Sequence, residues 1–257
     1  MGDGPPPDMR RAGWDGGAYD IVSAPQFSAG ARMVRRIDVS SGAVIVDAGC
    51  GSGRVTELLL EIHPDVTVVA IDASASMLAA AERRLGRYAA RLELVHADLV
   101  EQWPLRRSVD AVVSTNTLHW VLDHIKLFTA VYDALRPGGQ LAAVAGGSGS
   151  LQSVRTAAHN AGVVVDGVNN YADAEHTAER LREVGFADIR CWLEAEPIRF
   201  PTRDAFSEYL ANAALAPYER GAELASQVAE DLDEPVADFV RLNLLASRPT
   251  AHTGPKS

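Results

Sequence analysis

Apolar residues along this chain come in two alternating rhythms: short β-branched runs, and longer stretches at helical spacing. Val44-Ile-Val is the first compact run, and its branched side chains suit a strand covered on both faces. From Arg54 to Ile62 the rhythm changes, with Val55, Leu58, Leu59 and Ile62 on one helical face. Strands are predicted again at 66–72, 92–99, 109–114 and 140–145. A helix begins near Ser74, and 123–135 is an amphipathic helix. Arg136-Pro-Gly-Gly139 stops it, because proline and paired glycines cannot continue a helix. Ahead of the first strand, 26–37 reads as a helix with Phe27, Ala31, Val34 and Ile37 turned inward.

Beyond Ala145 the pattern loosens. A helix is predicted at 151–161, an irregular stretch at 163–174, and a helix at 175–184 that Gly185 ends. Strands follow at 189–194 and 239–247. Between them lie helices at 202–216, with Thr202 as N-cap, and at 218–232, separated by Pro217. The whole alternation predicts an α/β fold: a doubly wound, seven-stranded, mostly parallel sheet in a single domain spanning 1–257. Residues 1–17, with three consecutive prolines, and 249–257 read as flexible tails.

The first strand runs into Asp47-Ala-Gly-Cys-Gly-Ser-Gly53. An acid, three glycines at alternate positions and a helix start make a cradle for a nucleotide-type cofactor, although the loop alone also fits an ordinary tight turn. The dinucleotide fingerprint wants a third glycine where Arg54 stands, which disfavours a nicotinamide oxidoreductase. Asp72 ends the second strand, at the carboxyl edge where open α/β sheets bind ligands. It suits a ribose diol, the reading the glycine motif favours, with an N-cap for the helix after it as the alternative. Asp98 follows the third strand in Ala97-Asp98-Leu99, and Thr115-Asn-Thr-Leu-His-Trp-Val121 follows the fourth.

These motifs, with the Leu-Arg-Pro-Gly-Gly stop, resemble the class I S-adenosylmethionine-dependent methyltransferases, and in the polar-aromatic pair before the helix the trans-aconitate methyltransferase-like group. The resemblance covers about 19–145. It implies a Rossmann-like methyltransferase fold whose last strand is antiparallel beside strand five, with helical lid insertions at 146–174 and 201–233. It implies S-adenosyl-L-methionine as cofactor, held by Asp47, Gly49, Cys50, Gly51, Gly53, Asp72, Ala73, Met77, Ala97, Asp98, Leu99 and Asn116. The acceptor would be a small molecule, taking the methyl at a carboxylate or hydroxyl oxygen. Tyr19, Trp120, Tyr171 and Tyr209 are candidates to touch it, Gln26 and Arg32 to close over it, and Arg32 and Arg199 to meet a polyacid. His119 is read either as general base or as a packed structural residue. A fold that binds the cofactor without methylating, as a cyclase or binding module, is the alternative.

Charge then narrows the partners. The net charge of -10 repels phosphate backbones and argues against a nucleic-acid substrate. No apolar run reaches the ~20 residues a membrane helix needs. The two cysteines, one inside the glycine turn, and a polar N-terminus suit a reducing, cytoplasmic setting. The histidines show no metal-ligand spacing. Oligomeric state stays open.

Overall fold

The computed structural model describes residues 24–101, 103–105, 108–165, 169–216 and 218–250. Tyr19, Pro217, the tail 1–17 and residues 251–257 of the C-terminal tail lie outside them. The predicted sheet forms with strand order β3-β2-β1-β4-β5-β9-β6. Its strands are β1 (Val44–Ala48), β2 (Thr67–Asp72), β3 (Leu92–His96), β4 (Val109–Thr115), β5 (Leu135–Gly146), β6 (Ala187–Ala195) and β9 (Val240–Ser247). The first five pair in parallel, while β9 runs antiparallel between β5 and β6. A separate two-stranded ladder joins β7 (Ile198–Arg199) to β8 (Val236–Ala237).

The alternation of side chains along β1 explains why it is central. Val44, Val46 and Ala48 pack on one face with Leu127, Phe128 and Val131 of the helix His124–Ala134. Ile45 faces the other way, toward Met33 and Val34 of helix Ala24–Val34, Leu59 of helix Arg54–Ile62 and Leu85 of helix Ala75–Leu85. Both faces are covered, as the β-branched run requires. A third apolar cluster lies outside the sheet. It joins Val154 of helix Gln152–Asn160, Phe206 and Tyr209 of helix Arg203–Tyr209, Val228 of helix Gly221–Glu230 and Phe239. Helix Ala174–Val184 packs beside β6 and ends on Gly185, as its sequence predicts.

Several boundaries differ from the sequence reading. β3 stops at His96, because the Asp98 carboxylate accepts the Val100 N–H and turns the chain. β5 starts at Leu135, directly after its helix, where Arg248 Nη1 donates to the carbonyls of Tyr132 and Leu135. The first helix ends at Val34, yet Ile37 is still buried. The predicted helix 202–216 is α-helical only to Tyr209. It then widens into a π-turn at Leu210–Ala214, with Leu215 N–H bonded to Leu210 O. Local periodicity cannot separate an i+5 turn from an i+4 turn of similar residues. Among the described residues no helix is long and apolar enough to cross a membrane.

Candidate active site

The glycine turn leaves β1 at the point where the sheet's winding reverses between β2 and β4, the usual place for a ligand in such sheets. Gly49 and Cys50 both donate to the Ile71 carbonyl at 2.8 and 3.0 Å, which folds the turn against the end of β2. Gly49, Gly51 and Gly53 all have positive φ, but for different reasons. A Cβ on Gly49 would stand 2.2 Å from Thr117 Oγ1, and one on Gly53 would stand 2.8 Å from Leu85 Cδ1. Those two glycines are required by packing. Gly51 alone of the three faces open space, with nothing within 4 Å of where its Cβ would be.

Two acids frame that space. Asp47 is fully buried; its Oδ2 accepts the Thr56 hydroxyl at 2.6 Å, and its Oδ1 has no partner among the described residues. Asp72 accepts the backbone N–H of Gly51 at 2.9 Å and that of Ser74 at 2.8 Å, so it holds the turn and starts the next helix. Ser74, and not Asp72, is the N-cap of that helix, through the Met77 N–H. Burial pushes both carboxyls up, and the charge of Asp72 adds to the rise at Asp47, which goes from 3.8 to about 7. The folded state therefore keeps a proton on Asp47 that the unfolded chain releases near pH 4. Stability of the protein alone is expected to fall as pH rises from about 4 to about 7. Thermal melts across that range should show a flatter slope for Asp47→Asn, and an identical slope would exclude Asp47 as the cause.

Ala73, Met77 and the loop Ala97-Asp98-Leu99 border the same strand ends. Ala97 N–H bonds to Asp72 O, and His96 Nε2 lies 2.9 Å from Ala73 O. Met77 and Leu99 are buried.

A second cavity, of about 40 Å³, lies between the strand ends and the helical cluster. His119, Trp120, Tyr171 and Tyr209 line it together, with Gln26, Ser150, Phe239 and Arg241. The His119 ring stacks on Tyr171 at 5.6 Å and tilts against Trp120 at 4.9 Å. Its Nδ1 accepts the Gly146 N–H at 3.2 Å, so the neutral ring carries its proton on Nε2. Burial, then the charge of Arg241, then that of His124 lower the His119 pKa to about 3. The ring is neutral and presents an N–H donor.

Asn116 joins the cavity more than the glycine turn. It sits at φ 55, donates to Gln26 O at 2.9 Å and accepts from Arg241 Nη1 at 3.1 Å. Gln26 also reaches the Tyr209 hydroxyl at 3.2 Å. Arg32 is paired with Glu196 at 2.6 Å, while Arg199 lies on the small ladder, paired with Glu234. Phe206 fills the helical cluster, and Tyr218 OH bonds Asn169. Arg241 and Glu196 are functional candidates that the sequence reading missed. The available signal was an arginine and an asparagine, two residues apart, inside the otherwise apolar run 239–246.

The site thus has two halves of opposite sign: a buried and a half-buried carboxyl at the glycine turn, Asp47 and Asp72, and a buried arginine in the neighbouring cavity. Known proteins resemble the stretch of chain that carries the first half. The family model described as Methyltransferase domain matches residues 45–139. Trans-aconitate 2-methyltransferase of Azoarcus sp. (strain BH72) is 34% identical over 129 residues, covering 50% of this chain and 49% of that protein. The protein of that name from Variovorax paradoxus (strain S110) is 35% identical over 129 residues, 50% of this chain and 48% of that one. The chain spans about half the length of these relatives. Among solved structures, a Haemonchus contortus phosphoethanolamine N-methyltransferase 2 complex with S-adenosylhomocysteine has a TM-score of 0.62 at 21% identity, covering 91% of this chain and 57% of that one. The cyclase SpnF has a TM-score of 0.62 at 20% identity, covering 87% of this chain and 82% of its own. Both share the fold. Residues 45–139 accordingly match the model of a methyltransferase domain, set in a seven-stranded sheet that continues to Ser247.

Proposed function

We propose that this chain transfers the methyl group of S-adenosylmethionine to a carboxylate oxygen of a small molecule. The residues present fit the cofactor. Gly51 leaves room for close approach, Asp72 is read as offering its carboxylate to the ribose hydroxyls and Asp98 as the acceptor for the adenine amino group, and Asp47 has an orphaned oxygen among the described residues. Two carboxyls that resist ionising alone, Asp47 and Asp72, suit a ligand carrying sulfonium and ammonium charges. The bound donor supplies an electrophilic methyl carbon. The chain's own residues hold the two reactants in line and keep out water, worth roughly 7 to 11 kcal/mol in well-oriented reactions.

One observation carries the choice of a carboxylate: the Gly146 N–H bonded to His119 Nδ1. It leaves Nε2 protonated, so the ring reaches into the cavity as a donor and has no free lone pair with which to deprotonate a hydroxyl. A carboxylate needs no base at neutral pH. Its oxygen forms the C–O bond as the C–S bond breaks, the electron pair stays on sulfur, and no proton moves. The sulfonium and the attacking carboxylate become a thioether and an ester, so the two reacting groups lose their charges, a change that a site excluding water favours.

A cavity of about 40 Å³ holds a few waters, far less than the ~300 Å³ or more of an ordinary ligand pocket. The segments that line it at Ser150, Leu151, Tyr171, Tyr209, Ala213 and Ala214 therefore act as a lid that must shift to admit an acceptor. The relatives named trans-aconitate 2-methyltransferase make a tricarboxylate the first acceptor to try.

The test is isotopically labelled methyl donor with a panel of small acids, phenols and amines, read by mass spectrometry. Label on a carboxylic acid supports the proposal, label on phenols alone refutes the carboxylate, and no label with any acceptor favours a non-methylating cyclase or binding module. Once an acid is found, His119→Ala should raise KM while kcat falls less than ~10-fold, and the wild-type rate should be flat from about pH 5 to 8. A general base would cost ~10²- to 10⁴-fold in rate.

A further inference from the structure

We propose that Arg241 anchors a carboxylate of the acceptor, held ready by Glu196 and Arg32. The identity of the acceptor rests on the methyltransferase reading above; the anchor itself rests on the arginine's surroundings.

Arg241 sits on β9 and is 2% exposed. Its Nε donates to Glu196 Oε2 at 2.9 Å, its Nη1 to Asn116 Oδ1 at 3.1 Å, and its guanidinium lies 4.1 Å over the Phe239 ring. Its Nη2 is buried with no partner among the described residues. A fully buried guanidinium with one amino group unsatisfied is an unfavourable arrangement for a chain to keep for stability alone.

The counter-charge is also incomplete. Glu196 is shared: its other oxygen, Oε1, takes Arg32 Nη2 at 2.6 Å. One carboxylate serves two guanidinium groups, so the cluster carries a net positive charge. Arg32 is half exposed and meets solvent, whereas Arg241 does not. Among the described residues lining the cavity, Arg241 is the only charged one, and neutral His119 adds an N–H donor. Donors and positive charge, without an acid, select an anion. The planar fork of a guanidinium matches a carboxylate best. Glu196 and Asn116 fix the fork's orientation before an acceptor arrives, so little ordering is lost on binding.

The experiment is calorimetry on the full chain saturated with S-adenosylhomocysteine, titrated with trans-aconitate, succinate, benzoate and inorganic phosphate. At least one acid should bind wild type, and Arg241→Lys should weaken it ~10-fold or more, while S-adenosylhomocysteine affinity stays unchanged. A purely structural Arg241 would give a lower melting temperature and unaltered acid binding, which overturns the proposal. So does binding of phosphate alone, or of none of the four. If Arg241→Lys does not fold, Arg241→Met combined with Glu196→Gln removes the ion pair whole and takes its place, since such replacements are often tolerated. The two readings fail separately. Acids that bind through Arg241 yet never receive labelled methyl refute the transferase. Acids that are methylated with a KM indifferent to Arg241→Lys refute the anchor.

Discussion

Gly49→Ala is expected to destabilise the protein by about 3 kcal/mol or more, the largest stability effect at the site. Two costs add. Gly49 has φ 80, a left-handed conformation that costs a non-glycine residue roughly 1–2 kcal/mol. The new Cβ would also fall 2.2 Å from Thr117 Oγ1 and 2.7 Å from Thr117 Cβ. Thr117 cannot simply swing away, since its hydroxyl bonds the carbonyls of Gly49 and Thr115. Overpacking of this kind costs roughly 1–3 kcal/mol. Gly51→Ala is the control: its φ is also positive but the space is open, so stability should fall by only about 1 kcal/mol while cofactor affinity drops. Chemical denaturation of both variants checks the contrast. Equal midpoints for the two would mean that Thr117 does not constrain the turn. Thr117→Ala in the Gly49→Ala background should recover part of the loss.

Asp72→Ala is expected to weaken S-adenosylmethionine binding by ~10²-fold or more. Hydrogen bonds to a charged group are worth roughly 1.5–3 kcal/mol each, so two ribose bonds alone account for that factor. The carboxylate also pins the Gly51 and Ser74 N–H groups, and its removal loosens the turn that faces the cofactor. Calorimetry on the folded variant is the measurement, with circular dichroism confirming the fold. Unchanged affinity would take Asp72 out of the site. Asp72→Asn keeps one acceptor oxygen and should fall between the two.

The glycine turn shows where reading the sequence succeeds. Asp47, Gly49, Gly51, Gly53 and Asp72 are close in chain or end adjacent parallel strands, and the alternation of strand and helix suffices to bring them together. What each glycine is for was not legible, because it depends on Thr117 and Leu85, which come from β4's exit and from another helix. Of the two readings of Asp72, the structure bears on the N-cap: the Ser74 side chain caps the helix, and Asp72 ties the turn to its start.

The second half of the site depends much more on long-range contacts. The tautomer of His119 is set by the Gly146 backbone, 27 residues later, at the end of β5. Arg241 meets Glu196 across 45 residues and Asn116 across 125. By itself the sequence determined the α/β class, the strand that carries the turn, the acids at the strand ends and the aromatic residues available to an acceptor. Those follow from side-chain period and from local backbone chemistry, which neighbouring residues specify. The tertiary structure alone decided which glycine borders open space, which nitrogen of His119 holds the proton, and that an arginine in an apolar strand is buried with one amino group unmet among the described residues. Burial and hydrogen-bond pairing are properties of what packs against a residue, and here those partners arrive from remote parts of the chain.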